Sequence, residues 1–319
     1  MSLPAIGRVL LRYVLSLAVA SVLIFAVMRL IPGNPARIAL GTSATDAAVA
    51  QLSSQLGTDR PLLTQYFSWI GGLLTGDFGM SLASKTNVTA LIIDRAQVSL
   101  ILCGLAMILS LLIAVPLGIL AARRTGRADS TVVSALTQLG IAVPSFLAAI
   151  IAIAVFSVGL GWLPASGWVP PNVDFPRFLS HLILPVAALT LVQASILTRY
   201  VRGAVLEVMT ADHLRTARAI GQSPREALYR HGLRGAALPV LTVTGLQLTS
   251  LIVGAVVIEQ VFLLPGLGSM LLSGVSTRDI PVVQTIVMLL VLFTLTVNLV
   301  VDVAYRFLDP RLRKATSRA

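Results

Sequence analysis

The sequence predicts an all-helical membrane protein with six transmembrane helices. Of the 319 residues, 56% are hydrophobic and only 12% are charged, whereas a soluble domain carries about 25% charged residues. Several uncharged runs are long enough to cross a bilayer, whose hydrocarbon core needs about 20 apolar residues per helix. Lipid offers no hydrogen-bond partners, so an open chain can cross it only as helices. These observations exclude a soluble enzyme and a disordered chain.

Six apolar segments are the candidate spans. The first is expected to remain in the mature protein, because the "RLIPGNP" that follows it has no small-residue cleavage site. Prolines lie within or at the mouth of several spans, where they either kink the helix or reflect the ordinary frequency of proline in membrane helices. The predicted spans are Tyr13–Met28, Ala96–Ala122, Val132–Gly159, Phe178–Thr198, Gly235–Ile258 and Ile280–Val301.

The basic residues predict the orientation. With six spans, 17 of the arginines and lysines fall on the side that holds both termini, and 7 fall on the other. Cytoplasmic loops carry the excess of basic residues, so both termini are expected in the cytoplasm. The expected organisation is an N-terminus with the first helix (1–31), an extracytoplasmic loop (32–95), a five-helix core (96–306) that contains a cytoplasmic loop (199–236), and a cytoplasmic tail (307–319).

Two large loops connect the spans. In the external loop, "TDAAVAQLSSQLG" predicts a short amphipathic helix capped by Thr45 and ended by Gly57. The later "WIGGLLTGDFG" is rich in glycine and is expected to be irregular. In the cytoplasmic loop, two helical stretches flank Gly221, and Ser223 with Glu226 forms a capping box for the second. A solvated basic loop would explain the arginines. A docking surface for another protein would also explain the two compact helical stretches and their cap.

No catalytic constellation is present in the sequence. It has no H-E-x-x-H or G-x-S-x-G motif, and neither of its two lysines follows a glycine, which excludes a phosphate-binding G-x-x-x-x-G-K loop. Cys103 is the single cysteine, so a cysteine metal cluster cannot form. We therefore expect no catalytic residue, metal or cofactor, and ATP-driven transport would need a separate ATPase. The net charge of +11 does not indicate nucleic acid, because too little polar surface accompanies it.

Polar residues are sparse within the spans. Gln193 and Gln247 are amides in otherwise apolar helices, where they either face a cavity or hydrogen-bond between helices. Glu259 is expected near a helix end, within reach of water or an arginine. No ionisable residue lies at the centre of a predicted span, which argues against a proton-coupled transporter.

Five segments carry a resemblance to a known family: "RVLLRYVLSLAVASVLIFAVMRLIPGNPA", "LGTDRPLLTQYFSWIGGLLTGDFGMSL", "TARAIG" with "RHGLRGAALPVLT", "VVIEQVFLLPGLGSMLLSGVSTRDIPVVQ" and "VDVAYRFLDPRLR". In this order they resemble the permease subunits of bacterial ABC importers, and among these the B-type permease of the dipeptide, oligopeptide and nickel group. The resemblance covers nearly the whole chain. It implies the type I importer permease fold in the bacterial cytoplasmic membrane.

The resemblance also implies partners: a second homologous permease, two ATP-binding subunits and an extracytoplasmic substrate-binding protein. It places an ATPase-coupling helix on the cytoplasmic loop. The general importer signature has Glu-Ala-Ala where this chain has Arg215, Thr216 and Ala217, so the signature glutamate is missing. Leu214, Ala217 and Arg218 share a helical face that is expected to approach the ATPase. The complete predicted coupling set is Asp212, Leu214, Arg215, Thr216, Ala217, Arg218 and Gly221.

A turn rich in glycine and proline follows the fifth span. Such a run cannot continue a helix, and we expect it to frame an external gate or to contact the binding protein. The residues assigned to this gate are Glu259, Pro265, Gly266, Leu267 and Gly268.

The predicted function is half of the translocation path of an ATP-driven importer, with di- or oligopeptides as substrate. Glutathione and nickel or other metal chelates are the alternatives within the same machinery. A self-sufficient secondary transporter or channel is the alternative from another class.

Overall fold

The computed structural model describes residues 3–30, 33, 35–41 and 44–308, and these form mainly helices. Two π-helical segments, Ile153–Gly159 and Leu228–Gly232, extend or join neighbouring helices. The α-helices are α1 (Leu3–Leu30), α2 (Pro35–Leu40), α3 (Asp46–Leu56), α4 (Leu62–Thr75), α5 (Thr89–Arg123), α6 (Ala128–Ala142), α7 (Ser145–Ala152), α8 (Phe175–Met209), α9 (Asp212–Ala219), α10 (Pro224–Ala227), α11 (Leu233–Val261), α12 (Leu267–Ser276) and α13 (Ile280–Leu308).

Five helical stretches of the described chain are long and apolar enough to cross a membrane, and a bent helix pair raises the number to six if it forms one span. The all-helical prediction is therefore confirmed. The five stretches are Gly7–Leu30, Thr89–Arg123, Phe175–Met209, Pro224–Val261 and Ile280–Tyr305.

The third predicted span differs from the prediction of one long helix. Helices α6 and α7, the latter continued by its π-helical segment, are bent by 97°. The break lies at Val143 and Pro144, both of which have extended backbone. Proline has no N–H to donate and disfavours helical backbone at the residue before it. The bend therefore follows from Pro144.

The described chain forms two compact units. The first contains residues 100–264 together with α13 from Val297 onward, and the second contains residues 6–99 and 265–296. In the first unit, α8 is the most deeply buried of the candidate spans and packs on α6, α7 and α11. Hydroxyl side chains inside α8 donate to their own helix, as Thr198 does to the Ala194 carbonyl at 2.6 Å. Such bonds satisfy polar atoms that lipid cannot.

In the second unit, one buried carboxylate organises the segment before α5. Asp279 accepts hydrogen bonds from the Ser81 hydroxyl and from the backbone N–H groups of Leu82 and Ala83, the last two at 3.1 and 3.4 Å. Nearby, Asp77 accepts from the Gly79 N–H and also from the Asn87 side chain, and both bonds lower the pKa of Asp77. Hydrogen bonds to Asp279 and Asp77 therefore hold the segment before α5 in place.

The segment predicted to be external contains one expected helix and one unexpected helix. Helix α3 begins and ends as predicted, because the Thr45 hydroxyl accepts from the Ala48 N–H and Gly57 is left-handed. The prediction of an irregular "WIGGLLTGDFG" is wrong, since α4 runs through it to Thr75 and stops at left-handed Gly76. Two interior glycines cost a helix about 0.5–1 kcal/mol each, and packing of α4 on α1 offsets this cost. Pro32 and all but the first two residues of the predicted 307–319 tail lie outside the described residues.

Candidate functional site

Helix α9 is anchored to the first unit by its apolar side. Leu214 and Ala217 are buried, and both belong to one cluster with Val201 and Val205 of α8 and with Leu228. This arrangement corrects the expectation that the face of Leu214 and Ala217 approaches a partner. The two side chains instead pack α9 against the C-terminal part of α8.

The other side chains of α9 are exposed. They include the predicted residues Asp212, Arg215, Thr216 and Arg218, and Arg215 approaches Asp212 at 3.7 Å. Ion pairs this exposed contribute about 0–1 kcal/mol, so both groups remain available to a partner. Directly after the helix, Ile220 is 75% exposed. The sequence analysis missed Ile220, although its place just before a helix-ending glycine is a signal that could have identified it as a contact residue.

The end of α9 and the start of α10 lie where the sequence predicts them. Gly221 has φ +98° and its N–H bonds to the Arg218 carbonyl at 3.1 Å. The Ser223 hydroxyl accepts from the Glu226 N–H at 3.2 Å and caps α10. Glu226 then pairs with Arg230 at 3.0 Å. These contacts define the end of α9 and the start of α10.

The two predicted path glutamines lie on α8 and α11, which pack closely together. Gln193 is buried, and its side-chain oxygen accepts no hydrogen bond in the structure. Gln247 is half-buried. A buried amide oxygen without a donor is costly, so Gln193 retains unused acceptor capacity.

The predicted external gate is largely buried. Leu267 begins α12, and its N–H donates to the Ser99 hydroxyl at 2.8 Å, while its side chain packs in the second unit. Pro265 is half-buried, and Gly266 and Gly268 are buried. The expectation that Leu267 is available to a partner is therefore corrected.

Glu259 lies two residues before the end of α11, near a helix end as expected. It is only 1% exposed, so the expectation that its carboxylate reaches water is wrong. The exposed residue of this turn is Leu263, which has φ +51°. Sequence reasoning missed Leu263, because nothing local distinguishes it from the buried Phe262 and Leu264. Within the described chain, no group of three or more His, Cys, Asp or Glu side chains could hold a metal ion.

Comparison with known proteins identifies the family of this chain. The family described as the inner membrane component of binding-protein-dependent transport systems matches residues 114–314, and the N-terminal component of the same systems matches residues 4–103. The chain belongs to this family. This permease is thus a multi-pass membrane protein and a component of an ABC importer.

Named relatives match the permease over nearly its whole length. The probable peptide ABC transporter permease protein y4tP of Sinorhizobium fredii is 36% identical over 93% of this chain and 95% of the relative. The oligopeptide transport system permease protein AppB of Bacillus subtilis is 37% identical over 92% and 93%. The glutathione transport system permease protein GsiC of Salmonella choleraesuis is 38% identical over 95% and 97%.

Solved structures show the same fold. The MetNI methionine ABC transporter, in inward-facing conformations, matches 70% of this permease and 98% of its own chain, with a TM-score of 0.56 and 19% identity. An amino acid ABC transporter with histidines matches 68% and 94%, with a TM-score of 0.55 and 16% identity. The type I importer permease fold predicted from the sequence is confirmed.

Proposed function

We propose that this permease forms half of the translocation path of an ATP-driven peptide importer in the bacterial inner membrane. It would pair with a second, homologous permease, receive substrate from an extracytoplasmic binding protein, and take its energy from two separate ATP-binding subunits. The chain has no phosphate-binding loop of its own, which supports a motor on other chains. Its role is mechanical, with no covalent chemistry.

This proposal rests on α9, which is buried on one side and exposed on the other. Its buried side joins α8 through Leu214 and Ala217, and its exposed side presents Arg215, Arg218 and Ile220. An exposed apolar residue and two exposed arginines within six residues suit a groove with an apolar pocket and an acidic rim, since arginine and buried apolar anchors dominate many interfaces. We assign this surface to the ATPase.

The proposed mechanism follows from the packing of α9 against α8. When ATP closes the motor subunits, α9 moves with the groove that holds it. Burial of Leu214 against Val201 and Val205 carries this movement into α8. Because α8 packs on α6, α7 and α11, a shift of its inner end alters the whole first unit. Gln193 and Gln247, on the packed α8 and α11, are the proposed polar contacts along the path.

Charge reversal on the exposed side of α9 tests the coupling. Arg215→Glu with Arg218→Glu, and separately Ile220→Asp, should leave the fold intact because all three side chains are exposed. We expect about tenfold or greater loss of ATPase retention, which corresponds to about 1.4 kcal/mol of interface free energy. Substrate-stimulated ATP hydrolysis in the reconstituted complex should fall with it.

The matched control is Arg127→Glu, the same charge change at an exposed cytoplasmic position outside α9. It should retain the ATPase. Ala217→Arg, by contrast, should lower the amount of folded permease because it disrupts the buried side. Normal coupling in both α9 variants, at normal expression, would refute the assignment.

Peptides are the substrate class that the relatives support best, since permeases named for peptides or oligopeptides match at 36–39% identity. Glutathione is the second candidate because the relative named for it matches at 38%. A ligand titration of the partner binding protein, followed by stimulated ATP hydrolysis in the complex, separates them. We expect di- and oligopeptides to stimulate hydrolysis. Stimulation by glutathione or a nickel chelate alone would reassign the substrate.

A further inference from the structure

Helix α4 has an unusual composition for an extracytoplasmic helix. Its 14 residues, Leu62–Thr75, contain no charged side chain, and the nearest charges lie outside it at Arg60 and Asp77. At 1.5 Å per residue the helix is about 21 Å long, which is about two-thirds of a bilayer's hydrocarbon thickness. Its length and composition therefore suit a membrane environment, although it is too short to span.

Contacts with α1 set the depth of α4. The Tyr66 hydroxyl shares a 2.8 Å hydrogen bond with the Ser21 hydroxyl, and the ring of Phe25 packs against Tyr66 at 5.4 Å and Trp69 at 6.2 Å. Ser21 lies nine residues before Leu30, where the apolar span ends, which corresponds to about 13 Å along the helix. The middle of α4 therefore lies beside the membrane-embedded part of α1.

The helix has three distinct sides. Tyr66 and Trp69 face α1, while Thr64 and Ser68 line a cavity of about 350 Å³. The third side is an apolar stripe, defined as Leu63, Phe67 and Leu74, whose spacing places all three within about 40° around the helix. These side chains are 73%, 67% and 83% exposed. A large exposed apolar stripe is typical of a surface that contacts lipid or protein.

We propose that α4 is a half-inserted helix in the outer leaflet and that phospholipid acyl chains cover its apolar stripe. The depth fixed by Ser21 and Phe25 favours lipid over water. The leaflet follows from the arginine distribution, which places the C-terminal end of α1 outside. This goes beyond the transport role, and it changes the predicted 32–95 segment from a wholly extracytoplasmic loop to one that returns to the membrane.

Fluorescence quenching in the assembled complex tests the proposal. Leu63→Cys, Phe67→Cys and Leu74→Cys are each labelled with bimane and reconstituted into phosphatidylcholine nanodiscs that carry a nitroxide on the acyl chain. Ser54→Cys on the exposed surface of α3 is the matched control, and the native Cys103 is buried. We expect acyl-chain quenching at the three stripe positions to exceed that at the control at least about threefold. Aqueous iodide should quench in the reverse order.

Two results would overturn the proposal. Strong iodide quenching at the stripe with little lipid quenching would place α4 in water. Protection from both quenchers would show that a protein partner covers the stripe. Because the three positions report on one surface, failure of one cysteine variant to assemble leaves the other two to decide the result.

Discussion

Two interior glycines of α5 show how packing and helix propensity act on single residues. At Gly118, an added Cβ would lie 2.6 Å from the Val201 side chain and 3.0 Å from the Thr198 carbonyl oxygen. At Gly104, nothing lies within 4 Å of an added Cβ. Gly118 is thus required for the close approach of α5 and α8, whereas Gly104 has no such constraint within the chain.

Alanine at these two positions should therefore have opposite effects. Gly118→Ala should destabilise the permease by about 1–3 kcal/mol, because overpacking a close helix contact forces the backbones apart. Gly104→Ala should be neutral or stabilising by up to about 1 kcal/mol, since alanine is the better helix former. Thermal unfolding of the purified complex, followed by size-exclusion chromatography, measures both. Equal shifts for the two variants would contradict the packing argument.

At the scale of elements, the helix ends follow local chemistry. Thr45 and Ser223 each accept a hydrogen bond from the N–H three residues on, and Gly57 and Gly221 adopt the left-handed backbone expected of them. Each of these features involves neighbours within a few residues, so the sequence reveals them. The bend before Pro144 is local in the same sense, although proline alone does not predict whether a helix kinks slightly or turns by 97°.

Other elements depend on partners far along the chain. Helix α4 forms through two glycines because Tyr66 and Trp69 pack on Phe25, more than 40 residues earlier. The side of α9 that is buried is likewise chosen by Val201, Val205 and Leu228. Helical periodicity shows that Leu214 and Ala217 share a face, but it does not show whether that face meets the same chain or a partner.

At the scale of the whole molecule, the distribution of basic residues predicts the orientation. The 17-to-7 asymmetry places α3 outside and α9 inside. In intact cells, a membrane-impermeant maleimide should therefore label Ser54→Cys and spare Arg127→Cys, and both positions are exposed. After permeabilisation both should react. Labelling of Arg127→Cys alone in intact cells would invert the topology.

The membrane class, five of the six spans as helices, the cap at Ser223 and the family could all be predicted from the sequence. Composition, apolar runs and caps are properties of short segments, and they need no knowledge of the rest of the chain. Packing across the chain, in contrast, buries Glu259 and Leu267, leaves Leu263 and Ile220 exposed, and places α4 against α1. These features could not be predicted, because burial is a relation between distant residues. A side chain loses contact with water or lipid only when another element covers it. Which element covers it depends on the packing of the whole unit.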